Sequence, residues 1–193
     1  MSPRLARLAP FLCLLFTGTV SSAMIIPFMP FFLVEGLGHD PWVISLYSLF
    51  AISLTVTANN RFARRIDSGQ AIFPLIGVAC AGYLLAASTL SITASIWTVM
   101  TFGVLGFGLS SSAVSSMFTL GGRLAEEMAV DRVRFNAYMR ATTSTAWMIG
   151  PALTFLVADR FGPPAVFRMA LAIGALWLVL WWLVLPRDIT SDR

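Results

Sequence analysis

Arg140 is the residue whose chemistry most needs an account. It lies about a turn and a half inside a long apolar run, 135–158, and an ionisable group within such a run is expensive enough to imply a use. At helical spacing it shares a face with Thr143, Ser144, Trp147, Gly150 and Pro151. A cation, hydroxyls and an aromatic ring together suit a sugar or another polyhydroxylated solute. The competing reading is that Arg140 snorkels to the nearest interface and anchors the helix. Arg168 carries the same two readings at the opposite interface. Ser110, Ser111, Ser112, Ser115 and Ser116 form a second polar group, richer in hydroxyls than packing needs, which points to an aqueous cavity.

The other polar residues call for less. Asn59 and Asn60 are expected to cap the end of a second helix, and His39, beside Asp40, is a solvated loop residue. Every carboxylate (Glu35, Asp40, Asp67, Glu126, Glu127, Asp131, Asp159, Asp188, Asp192) falls in a loop or at a helix end, so no acid–base pair sits within an apolar run. No metal-ligand spacing, phosphate-binding loop or catalytic triad is visible. The chain reads as a non-enzyme that calls for no cofactor. A proton-coupled transporter needs a titratable group in its cavity. Here that group is either at a helix end, with Glu35 nearest, or outside this chain.

The elements that position these residues follow from composition. Of 193 residues, 58% are hydrophobic and 11% charged, and mean hydropathy is +0.82. A soluble domain carries about 25% charged residues, so this inventory cannot cover a water-facing surface, whereas lipid removes the need. Each crossing takes about 20 apolar residues. The sequence holds runs at about 8–34, 42–60, 71–90, 96–120, 135–158 and 164–185, which predicts a single all-α domain, one six-helix transmembrane bundle. The first run begins like a signal peptide, with Arg4, Arg7 and a Ser21-Ser22-Ala23 cleavage-like site, but it continues apolar through Leu33, too long for a signal core. It is read as an uncleaved helix. Short connections predict antiparallel neighbours, and Gly103, Gly106 and Ser110 follow a small-residue packing pattern.

Charge sets the expected orientation. Formal charge is +4 and all basic residues are Arg. Position argues against nucleic acid as partner, because these residues sit between apolar runs rather than on one amphipathic face. Arg4, Arg7, Arg61, Arg64, Arg65, Arg123, Arg132, Arg134, Arg140, Arg187 and Arg193 fall on one side of the bundle, and Arg160 and Arg168 on the other. Positive charge stays in the cytoplasm, so both termini are expected there. Cys13 and Cys80 fall in apolar runs and are read as small buried hydrophobes rather than a disulfide.

Six spans with both ends inside resemble one half of a major facilitator superfamily transporter, in which each half comprises two inverted three-helix repeats. Ala146-Trp147-Met148-Ile149-Gly150-Pro151 resembles the Gly-Pro motif of fifth helices in efflux members. Tyr138-Met139-Arg140-Ala141, the loop from Arg123 to Arg134, and Phe32-Leu33, Gly38, Pro41-Trp42 and Leu46-Tyr47 in matching order are similar to the bacterial sugar efflux transporter family. The resemblance covers essentially the whole chain and the N-terminal half of a family member. It implies export of a small polar solute such as a sugar, by alternating access across a bacterial inner membrane. Arg140, Thr143, Ser144 and Trp147 would line the substrate site, and Asp67, Gly69, Gly150 and Pro151 would serve as motif and gating residues. The superfamily's loop between helices two and three ends in further basic residues. Here Arg64-Arg65-Ile66-Asp67-Ser68-Gly69-Gln70 keeps Asp67 and Gly69 without them, and helices seven to twelve have no counterpart in the sequence. The expected partners are the lipid bilayer, the solute, and a second six-helix half or a homodimer partner. The alternative is a non-transporting assembly partner or a degenerate remnant of a transporter.

Overall fold

The computed structural model describes residues 8–185 and Arg187. Six helices there are long and apolar enough to cross a membrane: α1 (Ala9–Gly36), α2 (Trp42–Asp67), α3 (Ile72–Ile92), α4 (Ile96–Glu127), α5 (Arg132–Phe161) and α6 (Pro163–Val184). Arg4, Arg7, Asp188, Asp192 and Arg193, used in the charge reading, lie outside the described residues. Three helices run well past the apolar runs that mark them. α2 continues through Arg61–Asp67, α4 through Gly121–Glu127, and α5 starts at Arg132 and ends at Phe161. Backbone hydrogen bonding does not stop where hydrocarbon stops, so hydropathy marks the crossing and not the helix.

The direction of each helix can be read from which residues meet. Along α1 and α5, Phe11 faces Phe135, Ala23 meets Gly150, and Phe28 meets Phe155, so both numbers rise together and the helices are parallel. Leu54 meets Gly108, while Asn59 and Ser112 share a cavity, which makes α2 and α4 parallel as well. By contrast, Gly82 meets Gly106 and Leu90 meets Gly103, so α3 and α4 are antiparallel. Gly18 against Trp177 with Phe32 against Phe167 sets α1 antiparallel to α6, and Gly77 against Trp181 with Tyr83 against Gly174 does the same for α3 and α6. The chain thus alternates direction at each of its short turns. Among the described residues Arg61, Arg64, Arg65, Arg123, Arg132, Arg134, Arg140 and Arg187 fall towards one end of the bundle, and Arg160 and Arg168 towards the other.

α2, α4, α1 and α5 form a front layer in that order, with α3 and α6 packed behind α4 and α1. Exchanging the first three helices for the last three maps the principal contacts onto themselves. α1 on α5 becomes α4 on α2, and α1 on α6 becomes α4 on α3, while α3–α6 and α1–α4 map to themselves. The α5–α6 contact has no counterpart of similar extent in α2–α3. Because each repeat has three helices, the second starts from the opposite membrane face and is inverted. The bundle is therefore half of a major facilitator fold.

Packing explains which helix sits where. Small residues let backbones approach in lipid, where helices gain no hydrophobic drive from associating. A Cβ on Gly106 would collide with the Gly82 carbonyl oxygen and stand 2.6 Å from Ala86 Cβ. On Gly150 it would lie 2.9 Å from Ala23 Cβ. Beside that contact Thr154 Oγ1 donates to Met24 O at 3.3 Å as well as to Gly150 O within its own helix, at 2.9 Å. Tyr83, fully buried, donates to Ser21 O at 3.1 Å. Trp181 lies over Gly77, stacks on Phe73 with ring centroids 4.3 Å apart, and donates Nε1 to Phe73 O at 2.9 Å. α1 is the central helix, with 72% of its most apolar stretch buried against 17% for α2 and 22% for α5. The helix runs unbroken through Ser21, Ser22 and Ala23, all buried.

Candidate functional site

The front layer carries the polar groups. α4 presents Ser112, Ser115, Ser116 and Thr119 towards α2, where Asn59 and Asn60 face them across a cavity of about 330 Å³ that reaches Asp67 at the end of α2. Thr119 also borders a second recess of about 300 Å³ on the other side of α4, completed by Arg132, Asn136 and Arg140 of α5. Thr119 therefore joins the two into one polar strip crossing α2, α4 and α5. A third recess of about 360 Å³, between α1, α2 and α4, is mostly apolar with hydroxyls from Ser48, Thr55 and Ser111 among its lining.

Helix geometry brings the four expected substrate residues together. At about 100° per residue, Arg140, Thr143, Ser144 and Trp147 fall within an arc of about 100° on α5. That arc lies beside the buried stripe Phe135, Met139, Ala146, Gly150 and Thr154, not on it. Arg140, Ser144 and Trp147 are exposed and Thr143 is half-buried, its Oγ1 donating to Arg140 O at 2.9 Å. Of the four, Arg140 borders the recess shared with Thr119 and Asn136, and Trp147 lies about 10 Å further along the helix. Arg132 is bound to Glu126 at 2.6 Å. Among the described residues no carboxylate pairs with Arg140, so its charge remains available on this face.

The motif residues have visible structural tasks. Gly69 adopts φ +82°, which costs little without a Cβ, and helps end α2: Ser68 N–H, Gly69 N–H and Gln70 N–H bond to the carbonyls of Arg64, Ile66 and Arg65. Asp67 is exposed at the last turn of α2. Gly150 is the close contact of α5 on α1, and Pro151 follows it inside the helix, leaving the Trp147 carbonyl without its usual N–H donor.

The serine cluster divides. Ser110 and Ser111 both donate to Phe107 O, and Ser116 donates to Ser112 O, all within α4. Ser115 is exposed, and Ser112, fully buried, has no partner for its Oγ. The expectation for the asparagines is corrected. Asn59 and Asn60 are not helix caps, because α2 runs on for a further eight residues past Asn59 to Asp67. Asn59 instead lines the α2–α4 cavity, with its Oδ1 buried and without a hydrogen-bond partner. An Asn-Asn pair interrupting an apolar helix is costly in lipid, and that signal was present in the sequence. Ending the span at the last apolar residue hid it.

No protein-family model matches the chain. Curated relatives do. Over 179 residues, 92% of the chain, it is 32% identical to sugar efflux transporter A of Escherichia coli (strain K12). Over 191 residues it is 27% identical to sugar efflux transporter A of Dickeya chrysanthemi, and over 178 residues 25% identical to sugar efflux transporter C of Escherichia coli (strain K12). It resembles the N-terminal half of a bacterial sugar efflux transporter. The chain spans about half the length of these relatives: 45%, 49% and 45%. The chain is a multi-pass membrane protein, and the similarity to these relatives extends over nearly its whole length.

Proposed function

We propose that the chain forms one half of a membrane transporter that exports a small polar solute, such as a sugar, by alternating access. The observation that carries this reading is the polar strip on the front layer. A bundle solvated only by lipid has no use for Asn59, Asn60, Ser112, Ser115, Thr119, Asn136 and an uncompensated Arg140 on one side. A second six-helix unit facing that layer, encoded elsewhere or supplied by another copy, would enclose the strip as one wall of a cavity. In this fold substrate lies between the two halves and access alternates as one half rocks against the other.

Arg140 then holds the solute by charge-assisted hydrogen bonds, Thr143 and Ser144 supply hydroxyl contacts, and Trp147 offers an apolar ring face for a sugar's C–H surface. Asp67 and Gly69 shape the end of α2, and Gly150 and Pro151 shape the α1–α5 seam that keeps this half together as it moves against the facing one. The Arg-rich end faces the cytoplasm of a bacterial inner membrane, so both termini are inside. Among the described residues the carboxylates are all exposed and at helix ends or in turns. A coupling acid, where transport is proton-driven, therefore comes from the facing unit or from a helix end such as Glu35.

The test is exit of labelled sugar from preloaded source cells. Removal of the gene should slow loss of radiolabelled glucose or lactose, and restoring it should return the rate. Equal exit from both strains, with the protein verified in the membrane of the intact strain, would overturn the reading in favour of an inert assembly partner.

A further inference from the structure

The α2–α4 cavity differs from the other recesses in holding buried polar atoms with nothing to bind. Ser112 is fully buried, and both its Oγ and Asn59 Oδ1 lack any hydrogen-bond partner. A buried oxygen without a hydrogen-bond donor is unfavourable, and here two such oxygens belong to residues on facing helices that line one cavity. Resting on the transporter reading, we infer that this cavity is a hydroxyl-binding subsite. It holds one ring of a neutral polyhydroxylated solute between α2 and α4, separate from the α5 face on which Arg140 lies.

Size and charge choose the ligand class. A water molecule occupies about 30 Å³, so a cavity of about 330 Å³ is far larger than one ion or one water needs. It falls in the range of small-molecule sites, about 300–1,000 Å³. The polar residues extend from Asn59 to Asp67 on α2 and from Ser112 to Thr119 on α4, about 12 Å and about 10 Å at helical rise. Asp67, the carboxylate of the lining, thus stands about 12 Å along the helix from Asn59. A cation seated on the two orphaned oxygens would meet neutral groups alone and would shed its hydration shell only at high cost. An amide oxygen and a row of hydroxyls accept and donate to sugar hydroxyls without that penalty. Phe62, buried in the same wall, gives the apolar surface that a sugar's C–H face requires.

Protection of an introduced thiol tests the site. Ser115→Cys, exposed at the cavity, is made in a Cys13→Ser, Cys80→Ala background and expressed from the native locus, so that any facing unit is present. N-ethylmaleimide alkylation in native membranes is then timed with glucose, lactose, sodium chloride or nothing added. With sugar at about ten times its Kd, mass action leaves about a tenth of sites open and alkylation slows about tenfold. Sodium has no effect, and Asn59→Leu abolishes protection by sugar. A second chain with Ser144→Cys reports on the α5 face. Sugar protection at Ser144 without protection at Ser115 overturns the subsite and leaves the transporter reading standing. Protection at neither position, in chains that still reach the membrane, overturns both. Protection at Ser115 by sodium alone replaces the sugar subsite with a cation site.

Discussion

Single residues decide how closely the helices meet, and two glycines three positions apart in a common pattern separate cleanly. At Gly106 a methyl group would overlap backbone of α3, whereas at Gly103 its nearest neighbour would be Leu90 Cδ1 at 3.6 Å, an ordinary contact. Overpacking costs about 1–3 kcal/mol where backbone must move. Gly106→Ala should therefore lower the thermal midpoint of the detergent-purified protein by several degrees, while Gly103→Ala leaves it within error. Equal loss at both would mean that glycine is used there for flexibility and not for approach. Tyr83→Phe tests a polar contact in the same way. Hydrogen bonds between helices in lipid average about 0.6 kcal/mol, and Ser21 O keeps its place in the α1 ladder, so the expected loss is below about 1 kcal/mol. A much larger drop in chemical denaturation would show that the hydroxyl does more than tie α3 to α1.

At the level of elements, α1 is held by partners that read its small residues. Trp177 of α6 is fully buried over Gly18, where an added Cβ would sit 2.8 Å from the indole, and its Nε1 has no acceptor. Gly18→Ala alone should destabilise the bundle by about 1–3 kcal/mol. Combined with Trp177→Phe, which removes both the clash and the orphaned donor, much of that loss should return as a positive coupling in a double-mutant cycle. Additive losses would place the cost of Gly18→Ala elsewhere in α1. The elements themselves were legible in the sequence, because six membrane-length apolar runs admit few arrangements. Helix ends were not. Polar residues such as Arg61–Asp67 remain helical in the aqueous layer, and hydropathy is silent about that. Hydropathy therefore places Asn59 at a helix end, and the α2–α4 cavity does not follow from the sequence although the serines that face it stand out. The face of α5 was legible because period 3.6 fixes it locally. What stands opposite that face depends on contacts between helices distant in sequence, which periodicity does not encode.

The whole molecule is a two-layer bundle whose front, α2 and α5 above all, is little covered by its own chain. Exposed Leu49, Phe50, Ile52 and Val56 on α2, with Leu153, Phe155 and Leu156 on α5, are more apolar surface than water tolerates, while the polar strip is more than lipid tolerates. Lipid on the outer sides and the proposed facing unit over the strip would satisfy both. The orientation that follows can be checked with an impermeant maleimide on intact spheroplasts of a cysteine-free background. Asp40→Cys, in the turn between α1 and α2, should react, and Ser68→Cys, after α2, should react only once the membrane is opened. The reverse pattern would invert the topology.

Arg140 marks the proposed solute-binding face of α5. The most direct measurement compares exit of labelled sugar through Arg140→Ala and Arg168→Ala, each at native abundance in the membrane. A hydrogen bond to a charged group contributes about 1.5–3 kcal/mol, so loss of Arg140 should slow exit about tenfold or more. Arg168, exposed at the opposite end, should be replaceable with little change. Equal, undiminished export from both variants would contradict the assignment and leave Arg140 as an interfacial anchor.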